Sequence, residues 1–242
     1  VADFRTHLSV ASRVSGLAAT GLLVTGLAQV HEVLLYFIMG VMGGILPDID
    51  ADNSVAIRLV FNFLAPVIAF FLVFGQRIGT SLAELLLIWA AVFFMVKYPV
   101  FYLFTRLTVH RGIIHSVPAG ILFWLLDAIL LHRVFHVSNF TAWMAGFFVF
   151  LGFIIHLVLD ELGSLDLSGR RVKKSFGTAL KLRNPKDPKA TSVLYITIIG
   201  LFFLAPDPEP FLATILSSEH YLNIHLFPQG QWFQGLINAL QD

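Results

Sequence analysis

Long apolar runs separated by short polar interruptions set the pattern of this chain. A helix that crosses a hydrocarbon layer needs about 20 predominantly apolar residues. Runs close to that length fall at about 8–26, 27–46, 55–75, 82–105, 117–137 and 140–160, and a shorter one at 192–206 stops at the breaker APDPEP. The pattern predicts an all-α fold, a polytopic membrane helical bundle with about six to seven transmembrane helices. The first run is the weakest: it is rich in Gly, Ala, Ser and Thr and holds Arg13. Small residues of that kind suit close packing against neighbouring helices. No internal repeat divides the chain. The expected organisation is one bundle over 1–206, with a basic loop at 161–191, followed by a C-terminal extracytoplasmic or interfacial tail at 207–242.

Composition turns this pattern into a membrane assignment. The 242 residues are 57% hydrophobic and 13% charged, with a mean hydropathy of +0.81, whereas a soluble domain carries about 25% charged residues. Too little polar surface exists to cover a soluble globule. Cysteine is absent, so there is no disulfide framework and no redox compartment to read. The opening stretch VADFRTHLSVASRVSG is too polar to begin the apolar core of a cleavable signal.

The basic residues then orient the bundle. If helices alternate in direction, the side holding the N-terminus also receives the loops 47–54, 106–116 and 161–191. That side collects Arg5, Arg13, Arg106, Arg111, Arg170, Arg171, Lys173, Lys174, Lys181, Arg183, Lys186 and Lys189, twelve in all, and the other side only the two residues Arg77 and Arg133. Basic loops stay cytoplasmic, so the first side is expected to face the cytoplasm. Arg58 and Lys97 fall inside predicted spans. Lys97 and Asp127 come out at similar depths, which makes them either a buried pair or, for Lys97, a side chain snorkelling to the nearer interface.

Four polar motifs interrupt the apolar background, and all four fall on the same predicted side. His7 precedes the first span, GGILPDID closes the second with Asp48 and Asp50, HRGIIHS opens the fifth with His110, Arg111 and His115, and HLVLD closes the sixth with His156 and Asp160. Imidazole and carboxylate are common ligands of zinc and related divalent ions. His156 and Asp160 are four apart and share a helix face. Pro47 is expected to end the second helix and leave Asp48 and Asp50 on an extended turn, where residues two apart point the same way. His7, Asp48, Asp50, His110, His115, His156 and Asp160 make seven candidate metal ligands, too many for one tetrahedral ion and suited to two ions sharing a carboxylate. Taken singly, each motif has a plainer reading: interfacial hydrogen bonding for a lone histidine, helix capping for Asp48 or Asp50. Ionisable groups at span ends in so charge-poor a chain are costly without partners, and their conjunction favours a metal centre.

At these motifs the chain resembles a family of membrane-bound metal-dependent hydrolases, the LexA-regulated, YdjM-like inner-membrane hydrolases. That family is marked by an N-terminal His, a G-x-x-x-PDID stretch, H-R-G-x-x-H-S and H-L-x-L-D, matched here by His7, Gly43–Asp50, His110–Ser116 and His156–Asp160 over roughly residues 3–185. A looser likeness connects the family to zinc-dependent phospholipase C and P1-type nucleases, helical phosphoesterases with His- and Asp-rich metal clusters, and implies phosphoester hydrolysis by analogy. The chain departs from the family after HLVLD. A Thr-x-x-Gly segment is replaced by ELGSLDLSGRRVKKSFGTALKL, with Glu161 and Asp166 added, a departure that bears on the substrate contacts of that loop and not on the ligands.

The expected activity is therefore a metal-dependent phosphohydrolase at the cytoplasmic face of a bacterial inner membrane, using two zinc ions, with manganese or iron as alternatives. Its expected substrate is a lipid or lipid-linked phosphate. Asp48 or Asp50 is a candidate base as well as a ligand, and Arg111 a candidate fork for a phosphate. Arg170, Arg171, Lys173 and Lys174 are candidates to hold an anionic head group or simply the anionic leaflet. Membrane lipids are the expected partners, and the basic run lacks the interleaved aromatics of a single-strand-binding surface, so nucleic acid is not expected. The competing class is an ion or metal transporter using the same His/Asp cluster. His31, His132, His136, His220, His225 and Trp232 are read as interfacial or structural.

Overall fold

The computed structural model describes residues 4–50, 61–62, 65–70, 73, 81–102, 115–166, 171–172, 180–185 and 187–217. Seven α-helices have both ends among them: α1 (Phe4–Val24), α2 (Val30–Gly43), α3 (Leu82–Met95), α4 (Val117–Arg133), α5 (Asn139–Ser164), α6 (Pro188–Leu204) and α7 (Glu209–Leu216). A 3-10 turn, Leu46–Asp50, follows α2, and a π turn, Val96–Val100, continues α3. Among the described residues the only ladder is a two-residue antiparallel pair, Leu165–Asp166 against Arg171–Val172. The architecture is helical, as the apolar pattern predicts.

Among the described residues, four segments are long and apolar enough to span a bilayer: Phe4–Val24, Val30–Asp48, Leu82–Val100 and Asn139–Gly163. A fifth arises if α6 and α7, bent by 95°, count as one broken span. α4 covers most of the predicted 117–137 run but has 17 residues. The predicted span at 55–75 lies largely outside the described residues.

Local chemistry sets the helix starts. Ser116 caps α4, its side chain accepting from Ala119 N at 3.4 Å, and Pro118 falls in the first turn, where its missing N–H costs nothing. Asp187 caps α6 in the same way, at 2.9 Å to Ala190 N, ahead of Pro188. Glu32 reaches back to Gln29 N at 2.8 Å at the start of α2.

α5 is the axis of the bundle. It buries Ala142, Trp143, Met144, Ala145, Phe148, Val149, Phe153 and Leu157 and is packed by α1, α2 and α4. The α2–α5 contact is glycine-lined. A Cβ at Gly152 would overlap the carbonyl oxygen of Gly40, and one at Gly43 would overlap that of Val149. Gly40 and Gly44, four apart in a small-xxx-small spacing, instead face α1, where an added Cβ would meet Ser15 and Ala11. α1 contributes a stripe at the same spacing, Ala11, Ser15 and Ala19, all fully buried, as its small-residue composition led us to expect. α3 is different: it buries none of its residues, being apolar all round as a lipid-facing span is.

The first residues of the tail, as α7, dock onto the bundle. Phe211 is buried beside Trp124, Trp143 and Phe147, and Trp143 Nε1 donates to Pro206 O at 3.0 Å. Lys97 and Asp127 form no ion pair. The Lys97 ammonium instead lies 5.2 Å from the Phe93 ring centre and 6.0 Å from that of Tyr98, so ring faces take the place of a carboxylate.

Candidate metal centre

Three helix ends and one turn meet at one end of the bundle. His7 sits in the second turn of α1 and is 2% exposed. Asp48 lies on the 3-10 turn after α2, His115 directly precedes the Ser116 cap of α4, and His156 and Asp160 occupy the last turns of α5. The turn carrying Asp48 is not extended. Pro47 fits the first turn of a 3-10 helix, where its missing donor is not needed, and Asp48 N closes the turn onto Ile45 O at 3.2 Å. In a 3-10 turn, residues three apart eclipse, a different periodicity from the extended turn expected here.

Asp160 is the hub. Its Oδ1 lies 3.3 Å from His7 Nε2, and its Oδ2 lies 3.4 Å from His156 Nε2 and 3.8 Å from His115 Nε2. His156 Nε2 also faces Asp48 Oδ1 at 3.5 Å. The His7 and His156 rings stack at 3.8 Å between centres and 15° between planes, which fixes both rings. His156 is fully buried.

The tautomer of His156 follows from its other nitrogen. Nδ1 is 2.8 Å from Gly44 O. A carbonyl oxygen can only accept, so Nδ1 carries the proton, and in the neutral ring Nε2 presents a lone pair. That lone pair points at two carboxylate oxygens, an arrangement that is repulsive until something positive sits among them. Backbone-anchored imidazoles of this kind are the usual second shell of a metal-ligating histidine. The distances fit as well: donors about 2.1 Å from a tetrahedral ion lie ~3.4 Å from one another, close to the 3.3, 3.4 and 3.5 Å seen here. A bare ion pair to carboxylate would be closer, at about 2.7–2.9 Å.

Two donor groups can be drawn, His7–His156–Asp160 and Asp48–His115–His156, with the donor atoms of each group within 4.8 Å of one another. Both use His156, whose one available lone pair serves one ion. The described donors therefore make one centre. A second ion would need a bridging carboxylate and donors from His110 and Asp50, whose side chains fall outside the described residues. Arg111, Arg170, Lys173 and Lys174 also lie outside them. Arg171 is described by its backbone alone, paired with Asp166. Burial pushes the His115 imidazole below its ordinary range, so His115 is held in the neutral form that binds metal.

Two participants escape sequence reading. Gly44 acts through its carbonyl, which no side-chain pattern reports. Lys181 reaches the site rim through its backbone, by accepting from Val117 N at 3.2 Å.

Fold and site together define a helical membrane protein with a His/Asp cluster at one end of its bundle. The chain belongs to the YdjM inner membrane protein family, whose model matches residues 3–172 and so takes in every residue of the cluster. No curated protein and no solved structure matches the chain.

Proposed function

We propose that this protein is a metal-dependent hydrolase embedded in the inner membrane, a phosphoesterase acting on a lipid or lipid-linked phosphate at the cytoplasmic surface. The reading rests on one observation above all: His156 is anchored by Gly44 O so that Nε2 faces Asp48 and Asp160. Bound zinc, or manganese or iron in its place, would supply Lewis acidity that acidifies a water and polarises a phosphoryl oxygen. His7, Asp48, His115, His156 and Asp160 would hold one ion, and Asp50 and His110 would complete the site for a second. Whichever of Asp48 and Asp50 is not consumed as a ligand would accept the proton of the attacking water. Arg111 would offer a planar fork to the phosphate, and Arg170, Arg171 and Lys174 would hold the anionic head group. The site would sit at the cytoplasmic ends of six to seven spans, the side that the basic residues favour.

One feature favours the transporter reading. Asp127, inside α4, has a buried Oδ2 with no hydrogen-bond partner among the described residues, and an intramembrane carboxylate commonly marks an ion path.

Metal analysis of the purified protein, with a panel of phosphoesters, separates the readings. His115→Ala, His156→Ala and Asp160→Asn are each expected to lose bound metal and all hydrolysis while remaining inserted. Free metal at a hundred times its Kd should stabilise the fold by about 2.7 kcal/mol, so chelation should lower Tm. Arg111→Lys should keep the metal and lose turnover. Full metal content in the two histidine variants, with wild-type melting under chelator, would refute the metal centre. Ion flux in liposomes without hydrolysis would replace the enzyme by the transporter.

A further inference from the structure

α1 turns the buried stripe His7, Ala11, Ser15 and Ala19 toward the bundle. Offset from that stripe by two residues, about 200° round the helix, runs a second row at the same spacing of four: Arg5, Ser9, Arg13, Leu17 and Gly21. Ser9 is half-buried and the other members are exposed. Arg13 is the demanding one. α1 is long and apolar enough to span a bilayer, and Arg13 lies about 14 Å from one end of it and about 16 Å from the other. A guanidinium cannot shed its charge, and an exposed one at that depth faces acyl chains. No carboxylate among the described residues pairs with it. Its counter-anion has to come from outside the chain.

A second copy, inserted the same way round, is badly placed to give one. The described carboxylate nearest the middle of a span is Asp127. His7 and His115 both face Asp160, at 3.3 and 3.8 Å, which sets a common level for α1 and α4. From that level Arg13 lies about 9 Å along α1 and Asp127 about 18 Å along α4. Long helical side chains lean toward the N-terminus, which takes the guanidinium away from the level of Asp127 and toward the head groups.

The row has the profile of a phospholipid. Its polar members, Arg5, Ser9 and Arg13, occupy the half of α1 at the His/Asp-cluster end, and Leu17 and Gly21 continue it toward the middle of the bilayer without a polar side chain. A Cβ at Gly21 would meet nothing within 4 Å, so the surface beyond Leu17 is open to an acyl chain. Arg5, nearer the membrane surface, repels the ammonium of a zwitterionic head group and favours one with net negative charge.

We propose that this row is a binding site for an anionic phospholipid of the leaflet at the cluster end, its phosphate paired with Arg13 beside Ser9 and an acyl chain along Leu17 and Gly21. The site faces away from His7 and does not depend on the metal-centre reading.

The test is lipid retention by the full chain in detergent, given equal amounts of phosphatidylglycerol and phosphatidylcholine and read by native mass spectrometry. Wild type should retain phosphatidylglycerol in preference. Arg13→Leu and Arg13→Gln should each weaken the tightest-bound phosphatidylglycerol about tenfold, the loss of one charge-assisted contact, at wild-type helix content by circular dichroism. Arg13→Lys should recover part of the loss. Arg5→Leu should keep a bound phospholipid and lose the preference for phosphatidylglycerol. Arg183→Leu, which removes an exposed cation outside the row, is the control and should match wild type. Wild-type retention in both Arg13→Leu and Arg13→Gln overturns the assignment. An equal loss in Arg183→Leu overturns it too, because general charge attraction then accounts for the binding. A wild-type dimer that Arg13→Leu splits, with lipid retention unchanged, places the counter-anion on a second copy instead.

Discussion

His156 shows how one side chain is given one task. The Gly44 carbonyl takes its Nδ1 proton at 2.8 Å, the His7 ring stacks on its face at 3.8 Å, and the remaining nitrogen is left for the carboxylates. His115 is less enclosed, yet burial holds its proton more weakly than an unfolded chain would. The sign follows from linkage. With the folded pKa below the unfolded value of 6.5, the His115 contribution to stability is complete above 6.5 and is lost as pH falls from there through the folded value. Metal affinity should fall in the same direction, since only neutral imidazole ligates. A titration of bound metal from pH 8 to pH 5 is expected to show monotonic loss, with His115→Ala flattening its dependence. Tighter binding at pH 5 than at pH 8 would contradict the ligand role.

At the scale of elements, the site depends on how close α2 comes to α5. Glycine at 43 and 152 removes the side chains that would hold the two backbones apart, while Gly40 and Gly44 leave room for Ser15 and Ala11 of α1. That approach brings Gly44 O to His156. Gly152→Ala would place a methyl against Gly40 O and 2.7 Å from Gly44 N, which no rotamer change relieves. It should destabilise the protein by about 1–3 kcal/mol and weaken metal binding as well, by drawing Gly44 O away from His156. Gly200→Ala, with nothing within 4 Å of the added carbon, is the control and should match or exceed wild-type stability. Denaturant unfolding in detergent, with metal content measured on the same samples, checks both effects. Equal stability of Gly152→Ala and wild type would show that the interface yields more easily than its backbone contacts imply.

For the molecule as a whole, the cluster lies at one end of the bundle and the aromatic clasp around Phe211 at the other. α5 links them, with Trp143 near its start and Asp160 near its finish. The basic residues favour a cytoplasmic position for the metal-centre end. Reporter fusions after Lys189 should therefore read cytoplasmic, and fusions after His136 and at Asp242 should read outside. A cytoplasmic signal at Asp242 would mean that the bent α6–α7 pair returns to the side on which it began.

Sequence alone determines the membrane class, because a chain this poor in charge cannot cover a soluble surface. It also determines that His7, Asp48, His115, His156 and Asp160 share an end. Apolar runs alternate in direction, and parity along the chain is enough to assign each motif to a side. The His156–Asp160 contact is equally legible, since four residues make about one helical turn. Tertiary structure decided the rest. Asp48 rides a 3-10 turn where Pro47 suggested an extended one. The first residues of the tail fold back as α7, because Phe211 finds an aromatic socket built by α4 and α5. His156 and its Gly44 partner are 112 positions apart, and no local periodicity relates them. Their distance is set by how closely two helices pack, and so by what the glycines of both leave out.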